Sequence, residues 1–122
     1  MNRVFQQSYH IPGTLSADIA IKFTAPFDCQ LVHVSAVASN DSDATLAVGS
    51  SADTDGYITA GVIGDSNTPV EKEALTDFDG ALASSQYPHI TDGTIVTADL
   101  DYDGATGTAA QNVTIVLTFT EG

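Results

Sequence analysis

The sequence predicts an all-β protein: a single-domain antiparallel β-sandwich, jelly-roll-like, with about seven or eight short strands. Three observations predict it. Branched and aromatic residues alternate with polar ones at period two, Asp-Gly and Pro-Gly turn signals recur between these runs, and a sustained helical period is missing. A chain of 122 residues is near the commonest domain size and leaves no room for a second core.

The C-terminal run is the clearest. Val113, Ile115, Leu117 and Phe119 alternate with Thr114, Val116, Thr118 and Thr120, the signature of a strand with one buried face. Leu15, Ala17, Ile19, Ile21 and Phe23 alternate in the same way with Ser16, Asp18, Ala20, Lys22 and Thr24, which predicts a second strand. Cys29 to Ala38 is apolar on both faces, as a central strand should be. Thr45 to Gly49, Tyr57 to Ile63 and Thr94 to Tyr102 complete the internal set. Pro12-Gly13, Ala25-Pro26, Asn40-Asp41, Asp55-Gly56, Asp92-Gly93 and Asp103-Gly104 supply the turns.

Residues 1–13 read as a possible N-terminal arm or as a first strand, with Val4 to His10 extended in either case, and residues 14–122 as the sandwich domain. An arm carrying Arg3, Gln6, Gln7 and Tyr9 could add to a neighbour's sheet. The sequence leaves both alternatives open. Thr68-Pro69-Val70-Glu71 has the form of a capping box with proline at the first helical position, which predicts one helical turn.

Charge narrows the function. Sixteen acidic residues against Lys22, Lys72 and Arg3 give a formal net charge of -13. A nucleic-acid binder needs Lys and Arg to displace phosphate counterions, and anionic lipid repels such a surface, so neither nucleic acid nor membrane is expected as a partner. Nothing at the N-terminus resembles a secretory signal, and no apolar run approaches a membrane span. Synthesis in the cytoplasm is expected. Cys29 is the only cysteine, which rules out an intramolecular disulfide and reads as a buried thiol.

The candidate chemical constellations are thin. Asp-x-Asp-Gly occurs at Asp53 to Gly56, Asp77 to Gly80 and Asp101 to Gly104. Paired carboxylates before a glycine bend suit calcium, but the twelfth positions hold Gly64, Pro88 and Asn112 where a bidentate glutamate would be needed. Turn chemistry explains the three segments without an ion. His10, His33 and His89 lack zinc-site spacing, and no nucleophile elbow or phosphate loop is present. No catalytic, metal or cofactor-binding residue is therefore assigned, and an enzyme is not expected. Tyr57, Tyr87 and Tyr102 lie near turns and could form a contact surface.

Several stretches are informative as a set. They are Ala25-Pro26-Phe27-Asp28-Cys29 leading to Val34-Ser35-Ala36-Val37, then Ala44-Thr45-Leu46 with Gly49 and Asp53, and Ile63-Gly64-Asp65-Ser66. Pro88-His89-Ile90, Gly93, Asp101-Tyr102-Asp103-Gly104 and Thr118-Phe119-Thr120-Glu121-Gly122 continue the set. Together they resemble small β-rich virion proteins of tailed bacteriophages, of the capsid decoration or cement type. The resemblance implies binding to the major capsid protein on the virion exterior, often as a homotrimer at a symmetry axis, and reinforcement of the shell. The alternative is a carbohydrate- or host-receptor-binding module of a phage tail or fibre, with Tyr57 and the aspartate turns as the receptor site. A small hydrolase lacks any supporting constellation.

Overall fold

The computed structural model describes residues 3–65, 68–73, 77–78, 87–102 and 107–122. Nine strands are present among them: β1 (Val4–Thr14), β2 (Ile19–Thr24), β3 (Cys29–Val37), β4 (Thr45–Ser50), β5 (Ile58–Val62), β6 (Val70–Lys72), β7 (His89–Ile90), β8 (Ile95–Asp101) and β9 (Gln111–Glu121). They form two antiparallel sheets. The first runs β1-β9-β3-β6, with β7 also on β3, and the second runs β2-β8-β4-β5.

The pairing has a simple logic. β1 pairs with β9, β2 with β8, β3 with β6 and β4 with β5, so the chain is one long hairpin rolled over itself. This is jelly-roll connectivity. Beyond the seven longer runs evident in the sequence, the structure adds the three-residue β6 and the two-residue β7. Both lie on the edge of β3 left free by β9: β6 pairs with Val34 to Ala36 and β7 with Cys29 and Gln30.

The core lies between the sheets and is built by alternation. Val113, Ile115, Leu117 and Phe119 are all fully buried, while their neighbours on β9 are half-exposed. Val96, Ala98 and Leu100 of β8 face them from the second sheet, joined by Leu46 and Val48 of β4. One end of the sandwich is aromatic. Phe5 stacks on Phe119 with centroids 4.7 Å apart, and Phe23 meets Phe119 edge-on at 5.3 Å. Phe27 packs edge-on against Phe5 at 5.3 Å. Such pairs add stability beyond their buried area.

Three local expectations need correction. Val70 to Lys72 is a strand, not a helical turn: Val34, Ser35 and Ala36 of β3 pair with Lys72, Glu71 and Val70. A single helical turn gains too few hydrogen bonds to offset its nucleation cost, whereas the free edge of β3 offers immediate partners. Thr68 instead donates its N–H to the Asp65 carbonyl at 2.8 Å.

The second strand starts at Ile19, not Leu15. Leu15 is buried, but its N–H donates to the Ala110 carbonyl outside the ladder, and Ala17 is exposed. Alternation continued there without a strand partner.

Pro12-Gly13 does not end the first strand. β1 continues to Thr14 through an irregularity in its pairing with β9, between Ile11 and Thr14. Gly13 has φ 79°, a left-handed conformation that glycine adopts without a side-chain clash, and its N–H donates to Asn112 Oδ1 at 2.9 Å. Proline is tolerated here because β1 is an edge strand.

Candidate functional site

The first sheet carries the most distinctive side-chain cluster, on the face turned away from the core. It begins with a bulge. Leu31 of β3 pairs with Phe119 of β9 and His33 pairs with the next residue, Thr118, so Val32 is an extra residue. A regular strand would send residue 33 to the same side as the buried Leu31. The bulge turns His33 outward and lets Val34 face the core at 2% exposure.

The register then brings two carboxylates to it. Val34 pairs with Lys72, so Glu73, just past the end of β6, lies across from His33, and Glu71 is its diagonal neighbour. Glu71 and Glu73 are two residues apart and share a face. His33 Nε2 is 3.9 Å from Glu71 Oε1 and 3.8 Å from Glu73 Oε2. One donor atom from each of the three residues falls within 4.8 Å of the others. Those side chains are 29%, 51% and 65% exposed, so the cluster opens to solvent.

The backbone of Glu73 is fixed from two sides. Its N–H donates to Asp77 Oδ2 at 3.0 Å, and the Tyr87 hydroxyl donates to its carbonyl at 2.8 Å. Tyr87 in turn packs edge-on against the buried Phe78. Glu73 is therefore held although it lies outside the ladder.

The histidines separate in space by role. His10 is on β1, with Nδ1 2.9 Å from Thr114 Oγ1 of β9. His89 is exposed on β7, paired with Gln30. Only His33 meets carboxylates closely among the described residues. No local spacing could reveal this trio, because its members lie on different strands and only the register joins them. The Glu71-Lys72-Glu73 alternation was the visible half of the signal, and the helical expectation obscured it.

Of the three Asp-x-Asp-Gly segments, Asp53 to Gly56 is described in full and forms a turn. Ser50 and Asp53 exchange backbone hydrogen bonds at 2.9 and 3.1 Å, and the Gly56 N–H donates to the Asp53 carbonyl. Asp77 is spent on the Glu73 backbone, as noted, while Asp79 and Gly80 lie outside the described residues. Asp101 ends β8, and the Tyr102 N–H donates to Asp18 Oδ1 at 3.1 Å. Asp103 and Gly104 are also outside the described residues.

The tyrosines do not converge on one surface. Tyr57 lies beside Val48, toward the Ser50 end of β4, whereas Tyr102 follows Asp101, which pairs with Thr45 at the opposite end. Burial pushes the Tyr57 phenol up, partly offset by its hydrogen bond to Ser50. Cys29 is fully buried, and burial together with the neighbouring Asp28 charge pushes its thiol up, away from the reactive thiolate.

Arg3, the only arginine, is engaged within the chain. It holds both carboxylate oxygens of Glu121 and lies 4.0 Å over the Phe27 ring.

Comparison with known proteins gives a likeness of fold. No protein-family model matches the sequence. No curated protein sequence matches it either. Among solved structures, the chain is similar to one chain of the cyanophage Pam1 capsid asymmetric unit, with a TM-score of 0.58 at 14% identity. The match covers 99% of this chain and 85% of that one. The rolled-hairpin sandwich is thus shared across almost the whole length.

Proposed function

We propose that the chain is a structural protein of a phage virion, one that binds the exterior of the assembled head and braces its shell. The observation that carries this reading is the end-to-end likeness of its fold to a chain of a phage capsid asymmetric unit. Charge supports an outward position: at -13, the surface is repelled by packaged nucleic acid. The partner is the major capsid protein, and a homotrimer at a symmetry axis suits a small brace that must touch several subunits.

The mechanism is passive. A protein that binds only the assembled lattice stabilises it by mass action, in proportion to the logarithm of its concentration over Kd. This needs a rigid, pre-formed surface and no chemistry. The two-sheet core and the bidentate Arg3–Glu121 pairing supply rigidity.

The test is co-sedimentation of the purified protein with phage heads lacking it, followed by heating of decorated and bare heads. Saturable binding with a higher disruption temperature is expected. Failure to bind heads of any maturation state would overturn the proposal, and binding to host glycans instead would turn it into a receptor module.

A further inference from the structure

We infer that His33, Glu71 and Glu73 form a binding site for a divalent transition-metal ion of the zinc class. The inference starts from the bulge at Val32, which breaks the regular alternation of β3 to bring an imidazole to the carboxylate-bearing face. Bulges commonly re-aim a side chain at a functional position. Here the re-aimed group meets two carboxylates, and the three donors gather without making hydrogen bonds to one another, at 3.8 and 3.9 Å.

The geometry is close to what such an ion requires. Bonds of about 2.0–2.2 Å to nitrogen and oxygen put tetrahedral ligands about 3.4 Å apart. The donors must close by an ångström or so from their present spread of up to 4.8 Å. Exposed glutamates do this by rotamer adjustment, and the backbone of Glu73 is already fixed by Asp77 and Tyr87. Electrostatics favour a cation as well. Two carboxylates sit side by side in a strongly acidic chain, and Lys72 between them points to the other face, lining the apolar cleft with Val34 and Val70.

The donor set selects the ion. One imidazole and two carboxylates suit zinc, cobalt or nickel, whereas calcium takes six to eight oxygens and gains little from the imidazole. Three protein ligands leave the solvent side of the ion open for water.

The experiment titrates the purified full chain with Zn2+, and with Co2+ for its visible absorption, beside the variants His33→Ala, Glu71→Gln with Glu73→Gln, and His10→Ala. The wild type and His10→Ala should bind one ion, with a rise in Tm and a Co2+ band stronger than that of the hydrated ion. His33→Ala and the double glutamine variant should weaken binding at least as much as the roughly 10–100-fold typical of losing an outer-shell partner. Magnesium in millimolar excess should not displace the ion. Equal binding by wild type and His33→Ala, loss through His10→Ala, or displacement by magnesium would each overturn the inference. The three ligands are on the surface, so the variants keep the fold and a circular dichroism spectrum verifies it.

Discussion

Arg3 holds Glu121 from both the side chain and the main chain. Its guanidinium donates to Oε1 at 3.2 Å and to Oε2 at 2.7 Å, and its own N–H reaches Oε1 at 3.1 Å. The Glu121 N–H returns a bond to the Arg3 carbonyl at 2.7 Å. The start of β1 and the end of β9 are thereby joined beside the aromatic end of the core.

Side-chain hydrogen bonding from Arg3 is the main reason the Glu121 carboxyl titrates below the usual glutamate range. A carboxyl depressed on folding contributes stability above its unfolded pKa, and that contribution is lost as the pH falls through the folded value. Wild type should therefore melt slightly above Glu121→Gln at neutral pH, and the gap should begin to shrink as the pH falls below the ordinary glutamate value of about 4.3 and close only below the depressed folded value. Thermal melts across pH check this. The pair is exposed, so the gap should also shrink in high salt.

Leu117→Ala should cost about 2–5 kcal/mol, because it opens a cavity at a fully buried position between the sheets. Thr118→Ala should cost much less. Its hydroxyl accepts one bond, from Gln6 Nε2 at 3.1 Å on the outward face. Denaturant melts of both variants test the register, and equal costs would contradict it.

Gly49 allows the β4–β5 turn to lie directly on its strand. A Cβ there would run into the Asp53 carbonyl oxygen and come within 2.8 Å of the Asp55 nitrogen. Both are backbone atoms that cannot step aside alone. Gly49→Ala should destabilise by about 1–3 kcal/mol, as overpacking does. Gly61→Ala, whose new Cβ would lie 4.0 Å from the Thr59 carbonyl oxygen, should be close to neutral in the same melts.

Deleting residues 2–9 should abolish the cooperative melt. Residues 4–9 pair with β9 from Thr120 to Ile115 and set Phe5 on Phe119. Their removal strips one side of β9 of its hydrogen bonds and uncovers the aromatic end. A truncated chain that still folds, by circular dichroism and a sharp melt, would mark β1 as a detachable strand able to pair with a neighbour.

Much of this protein was set by local pattern. The buried face of β9 follows from its period-two alternation, since side chains on a strand must point to opposite sides. The β-sandwich class follows from the number of such runs and the turns between them, and the charge of -13 is a property of composition alone. What tertiary structure decided is everything that depends on which strand lies beside which. Val70 to Lys72 reads locally as a helix start, yet the open edge of β3 takes it as a strand. Pro12-Gly13 reads as a turn, yet β9 holds the chain extended through it, with Asn112 accepting the Gly13 N–H. His33 reads as one histidine among three, yet a one-residue bulge and the β3–β6 register carry it to Glu71 and Glu73. Local propensity acts over a few residues, whereas these outcomes depend on backbone hydrogen bonds between segments about 40 to 100 residues apart, and only the folded pairing fixes which ones meet.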